Sequence, residues 1–134
     1  MATFPPSRPL FDLQAFAARV LNSSLWLEKS SGGWTPDGMA YLNVDGIYQA
    51  TRPSLQLGKA RWDEVERSCG KLMALVTSAL NDDRALLGKH SRVGSKTHDL
   101  PALVGAVAEC RKQFPAMIRS KRPWKNCLDV VPYI

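Results

Sequence analysis

The chain has 134 residues, 45% of them hydrophobic and 22% charged, and carries a formal net charge of +6. That length suits one domain with a continuous core, and that balance excludes a disordered tail. The charge is unevenly spread. From Met1 to Asp83 eight basic residues face nine acidic ones, whereas from Arg84 to Ile134 ten basic residues face only three acidic ones. A one-sided field of this kind favours a polyanion or an acidic protein surface as partner.

The three cysteines, Cys69, Cys110 and Cys127, are odd in number and widely spaced, which argues against a disulfide framework. The opening "MATFPPSRPLF" lacks the charged and apolar regions of a secretory signal, and no apolar run approaches the roughly 20 residues of a membrane span. The expectation is a cytoplasmic protein without a membrane partner.

In chain order, residues 1–10 form an extended arm, because the prolines of "FPPSRP" remove helical donors and bias their neighbours away from helix. The arm holds a P-x-x-P spacing, compatible with polyproline II. Residues 11–134 make one domain, with a basic part over 84–125. Asp12 is placed to cap a helix over 12–30, whose apolar stripe is Leu13, Phe16, Ala17, Val20, Leu21 and Leu25. "SSGGWTPDG" interrupts it. In "MAYLNVDGIYQATRP", Asp45-Gly46 between runs of β-formers predicts an antiparallel hairpin over 38–52, ended by Pro53.

A second helix is predicted over 59–81, with Trp62, Val65, Cys69, Leu72, Met73, Val76 and Leu80 on one face and Asp63, Glu64 and Glu66 in its early turns. "DDRALLGK" predicts a short helical turn capped by Asp82 or Asp83. A third helix is predicted over 99–114, capped by Thr97 or Asp99, with Leu100, Leu103, Val104, Val107, Cys110 and Phe114 on its apolar face. The apolar end "VVPYI" suits a tucked segment or a strand lent to a partner. The fold class expected is α+β, a mostly helical single domain with three main helices packed around a small antiparallel β-hairpin.

Four chemistries compete for "LLGKHSRVGSKTHDL" and the basic run after it. A phosphate loop requires four residues between its glycines and then Lys-Ser/Thr; here Gly88 and Gly94 enclose five residues, and Ser95 precedes Lys96-Thr97. A zinc site would have to gather His90, His98, Cys110 and Cys127, none of which shows the short paired spacing that pre-forms a chelate. A metal-free ribonuclease would use His90 and His98 as base and acid, with Lys89, Arg92 or Lys96 stabilising the phosphate, but only Asp99 stands near enough in sequence to orient either ring. The fourth reading is a basic grip on phosphates. Lys89, Arg92 and Lys96 before the third helix, and Arg111, Lys112, Arg119, Lys121, Arg122 and Lys125 after it, neutralise phosphates, while Trp124 stacks on an unpaired base.

The sequence therefore points to a small, non-catalytic binding protein without metal or cofactor, which contacts nucleic acid or a nucleoprotein complex through its basic face. The alternative is an adaptor or inhibitor of the phage or mobile-element accessory type, which sets the same face against an acidic or nucleic-acid-binding partner surface. The ribonuclease using His90 and His98 stands third.

Overall fold

Residues 12–35, 40–82, 84 and 96–119 are described by the computed structural model, and they form four helices and one tight turn. The order is α1 (Leu13–Leu27), α2 (Leu42–Gln56), α3 (Trp62–Leu80) and α4 (Lys96–Gln113), followed by a 3-10 turn at Pro115–Met117. No strand occurs among the described residues. The α+β expectation is thus overturned: the segment read as a hairpin over 38–52 contributes most of α2, and Asp45-Gly46 lies inside that helix rather than at a turn.

The reason lies in what α2 buries. Asn43, Gly46, Ile47, Ala50, Thr51 and Ser54 recur at helical spacing and are all buried. Half of that face is polar, so a search for apolar periodicity sees only the β-formers Val44, Ile47 and Tyr48. Asn43 accepts through Oδ1 from the Trp34 N–H while its buried Nδ2 has no partner among the described residues, and the two hydroxyls are satisfied locally. The Thr51 hydroxyl lies 2.9 Å from the Ile47 carbonyl oxygen one turn back, and the Ser54 hydroxyl donates to the Ala60 carbonyl. Pro53 does not end α2, which continues to Gln56; it sits late enough that only one helical hydrogen bond is forfeited.

Gly46 has a different task. A Cβ built there would fall 2.0 Å from Cδ2 of the Trp34 ring, so glycine is what lets the indole lie on the α2 backbone. The ring is fixed from several sides. Trp34 Nε1 donates to the Ser24 carbonyl at 2.8 Å, and the Ser24 hydroxyl donates to the Gly46 carbonyl at 2.9 Å. The Trp34 backbone N–H donates to Asn43 Oδ1 at 2.8 Å. The "SSGGWTPDG" break is therefore a seated loop, in which Gly32 and Gly33 hold φ of +91° and +76°.

Helix ends follow from local chemistry. Asp12 caps α1 as expected, accepting from the Gln14 and Ala15 N–H groups at 3.0 Å. Asp82 Oδ1 accepts the Arg84 N–H in the same way. Asp99 does not cap its own helix, which begins three residues earlier. It is buried and accepts the Tyr41 N–H at 2.9 Å, so it stabilises the start of α2, where unpaired donors and the helix dipole favour a carboxylate. Between α2 and α3 the chain turns through Gly58, Lys59 and Arg61, all at positive φ. Arg61 is held there by a two-pronged contact with Glu64 and a bond to Asn22.

Packing centres on α2, which touches α1, α3 and α4. The stripe predicted for 59–81 is largely core: Val65, Cys69, Leu72 and Val76 are buried in one cluster with Leu103, Val107, Cys110 and Phe114. Trp62 is half-buried and meets the Phe114 ring at 4.8 Å, whereas Leu80 is exposed. The α4 expectation needs one correction, because Val104 is 51% exposed while Ala106, Ala108 and Glu109 are buried. Gly105 to Cys110 form an unbroken buried run, so mid-α4 is enclosed on all sides instead of carrying one apolar face. On α1, Ala17 and Leu21 are buried, but Leu13 and Phe16 are exposed. Among the described residues no helix is long and apolar enough to cross a membrane.

The two kinds of glycine separate cleanly on substitution. Ala in place of Gly46 should gain about 1 kcal/mol of helix propensity and lose more than that to overpacking, for a net loss of about 2 kcal/mol. Ala at Gly58, where φ is +67° with no atom near the added Cβ, should cost only about 1 kcal/mol of backbone strain. Urea unfolding followed by tryptophan fluorescence measures both. Equal losses at the two sites would mean the Trp34 contact is not tight.

Candidate nucleic-acid interface

Near the end of the apolar stretch "LVGAVAEC" stands one carboxylate, Glu109, fully buried. An ionised carboxylate in such a place requires hydrogen bonds and a cation, and α2 supplies both. The Thr51 hydroxyl is 2.9 Å from Glu109 Oε1, so its single proton is shared between that oxygen and the Ile47 carbonyl. Gln113 Nε2, one turn further along α4, donates to the same Oε1 at 3.0 Å. Arg52 donates from one terminal nitrogen to Oε2 at 2.8 Å.

Arg52 is the outer half of this pair, with its side chain 46% exposed. Its guanidinium lies over the Tyr48 ring at 5.1 Å from the centroid, a cation–π contact available because the two residues are four apart on one helix. Lys112 follows Glu109 by three positions and thus shares its side of α4. The phenol of Tyr48 is held above its ordinary value, first by burial and then by the Glu109 charge, against the opposing fields of Arg52 and Lys112. Tyr48 is therefore neutral at physiological pH, with its phenol oxygen accepting from the Arg52 guanidinium.

The basic residues named from the sequence fall into three groups. Arg111 and Lys112 occupy the last turn of α4, and Arg119 is exposed just beyond the 3-10 turn. Lys96 opens α4 at its other end, so the helix separates it from Lys112 by about 24 Å at 1.5 Å per residue. Among the described residues, Lys96 and the pair Arg111 and Lys112 thus stand at opposite ends of one helix. Lys89, Arg92, Lys121, Arg122, Trp124 and Lys125 lie outside the described residues.

The histidines and cysteines divide similarly. His98 is exposed with its ring 6.4 Å from that of Tyr41, and Asp99, its sequence neighbour, is engaged by the Tyr41 N–H. Cys110 packs beside Cys69 in the core, and the hydrogen bond between them, together with burial, pushes the Cys69 thiol far above its ordinary value. Such a thiol is a neutral packing group rather than a metal ligand or nucleophile. No group of three or more His, Cys, Asp or Glu that could hold a metal occurs among the described residues. His90 and Cys127 lie outside them, as do the proline arm and "VVPYI".

Sequence reasoning missed Tyr48, Arg52 and Glu109. The signal for Glu109 was present, since a lone acid within an apolar helical run implies a buried charge with a partner. The partner was hidden because Tyr48 and Arg52 share a face only if 42–56 is helical.

The Arg52–Glu109 pair predicts an asymmetric cycle. Arg52→Ala strands the Glu109 carboxylate in the core and should cost about 2–3 kcal/mol, less than a fully enclosed pair because water reaches the arginine side. Replacing both, as Arg52→Met with Glu109→Leu, should recover most of that loss, since the burial penalty leaves with the charge. Chemical denaturation of the single and double variants tests this, and additive losses would refute the coupling. Tyr48 predicts an alkaline effect. Its raised value means that its contribution to stability is complete below pH 10 and is lost as pH climbs through the folded-state value. Wild type should therefore lose thermal stability relative to Tyr48→Phe as pH rises above 10; a constant difference in Tm between the two would contradict the shift.

Comparison with known protein families, curated proteins and solved structures finds no match to this chain.

Proposed function

We propose that this protein is a non-catalytic binder of nucleic acid, which engages backbone phosphates along a basic face built on α4. The observation that carries the reading is the number of basic residues at the C-terminal end of that helix. Arg111 and Lys112 in its last turn are joined by Arg119 beyond it, and by Arg52 reaching across from α2 to Glu109. Lys96 opens the helix at its other end, about 24 Å away from Lys112 and about 160° round the axis, so the C-terminal cluster is the part of the helix on which this reading rests. Contacts to phosphate position a protein without reading bases, so the reading implies little sequence preference. The ribonuclease alternative draws no support from His98, whose neighbouring carboxylate is turned to another task.

The test is binding of labelled single- and double-stranded oligonucleotides by anisotropy over a salt series. Affinity should fall log-linearly with salt, with a slope near −0.9 per phosphate neutralised, and reversal of Arg119, Lys121 and Arg122 together should flatten that slope by about three. Trp124→Ala should weaken single strands more than duplex. A shallow salt response, with a partner from the native host that survives nuclease treatment, would instead identify an acidic protein surface as the target.

A further inference from the structure

We infer that Arg52, oriented by Glu109 and Tyr48, is a preorganised fork for one phosphodiester group of the bound strand. This assignment rests on the nucleic-acid reading above and names the group within it that recognises phosphate by shape as well as by charge.

Three features separate Arg52 from an ordinary surface cation. The carboxylate that holds it is fully buried, and its other oxygen, Oε1, is engaged by Thr51 and Gln113. One edge of the guanidinium is thereby anchored on a support that cannot swing away. The guanidinium carbon also lies 5.1 Å from the centroid of the Tyr48 ring, a second contact on the same head group. A charge needed only to balance Glu109 requires neither a planar head nor an aromatic seat, because a lysine would serve as a point charge.

Despite the anchor, the side chain remains 46% exposed. A guanidinium carries five N–H donors in a rigid fork; Glu109 takes one from a terminal nitrogen and the Tyr48 phenol oxygen is hydrogen-bonded to the same head group, which leaves donors over. Those left over match two oxygens of a phosphate, the geometry for which arginine is favoured over lysine. Holding the fork in place before binding removes the rotamer entropy that a free arginine would lose on contact. The sign of the surroundings also suits an anion: Lys112 lies one turn along α4 from Glu109, and its field reaches Tyr48.

The experiment measures oligonucleotide affinity at several salt concentrations, which separates charge from geometry. The slope counts phosphates neutralised, and the intercept carries the quality of the contacts. Arg52→Lys keeps the charge and loses the fork, so the slope should stay as in wild type while affinity falls about tenfold at every salt. Arg52→Gln should lower affinity and flatten the slope by about one. Glu109→Gln is the sharpest arm. It removes a negative charge next to the basic face, so simple electrostatics demands tighter binding; loss of the anchor demands weaker binding, and weaker binding is the expected result. Circular dichroism melts at the assay temperature establish that each variant is folded. Should Glu109→Gln melt below it, Gln113→Met removes one support of the same carboxylate and keeps all charges, and it too should weaken binding.

If wild type binds no oligonucleotide, both this inference and the function it rests on are wrong. If wild type binds and reversal of Arg119, Lys121 and Arg122 weakens it, but Arg52→Lys and Glu109→Gln bind as well as wild type or better, the basic face stands and the fork does not exist.

Discussion

Everything in this fold turns on how closely the Trp34 indole lies against α2, a distance only Gly46 permits. One serine binds both sides of the contact, since Ser24 offers its carbonyl to the indole and its hydroxyl to the Gly46 carbonyl. The end of α1, the loop and the start of α2 are thereby joined into one rigid unit. Fixing Gly46 also fixes the rotation of the helix. Arg52 is six residues further on, roughly 120° round the axis, which turns it from the α1 side towards α4. The orientation of the arginine at the proposed interface thus descends from a tight aromatic contact at the other end of its helix.

Glu109 illustrates a choice between stability and definition. A leucine at that position would pack with less penalty, because the desolvation of a carboxylate is seldom fully returned by its partners. What the acid provides is a demand for particular neighbours. Thr51, Arg52 and Gln113 must arrive in one register of α2 against α4 for it to be satisfied, and a slip of one turn would leave a buried charge exposed to nothing. The interaction between these two helices is thereby made specific, and a polar surface group is held still at the same time.

Much of α1, α3 and α4 was legible because their buried faces are apolar at helical spacing: Leu21, Val65, Leu72, Val76, Leu103 and Val107 all lie in the core. α2 was not, for two reasons that reinforce each other. Its buried face holds Asn43, Thr51 and Ser54, which erase the apolar period, and its Asp45-Gly46 pair imitates a turn signal although the glycine serves a tertiary contact. Misreading that helix also concealed the Tyr48–Arg52–Glu109 cluster, since Tyr48 and Arg52 align only on a 3.6-residue repeat. The positive charge of residues 111, 112 and 119 was visible directly, because charge is legible in a sequence without knowledge of the fold. The carboxylate that anchors their neighbour was not, because its role depends on a partner 57 positions away.

The paired thiols of Cys69 and Cys110 have a use that their chemistry alone would not suggest. Sealed between α3 and α4, they are closed to a water-soluble alkylating reagent while the helices stay together. The rate at which they become labelled is therefore a clock for the opening of the core, which runs without any probe being introduced. Because the two belong to facing helices, simultaneous labelling would mark these helices as one cooperative unit. Separate rates would reveal which of the two parts first.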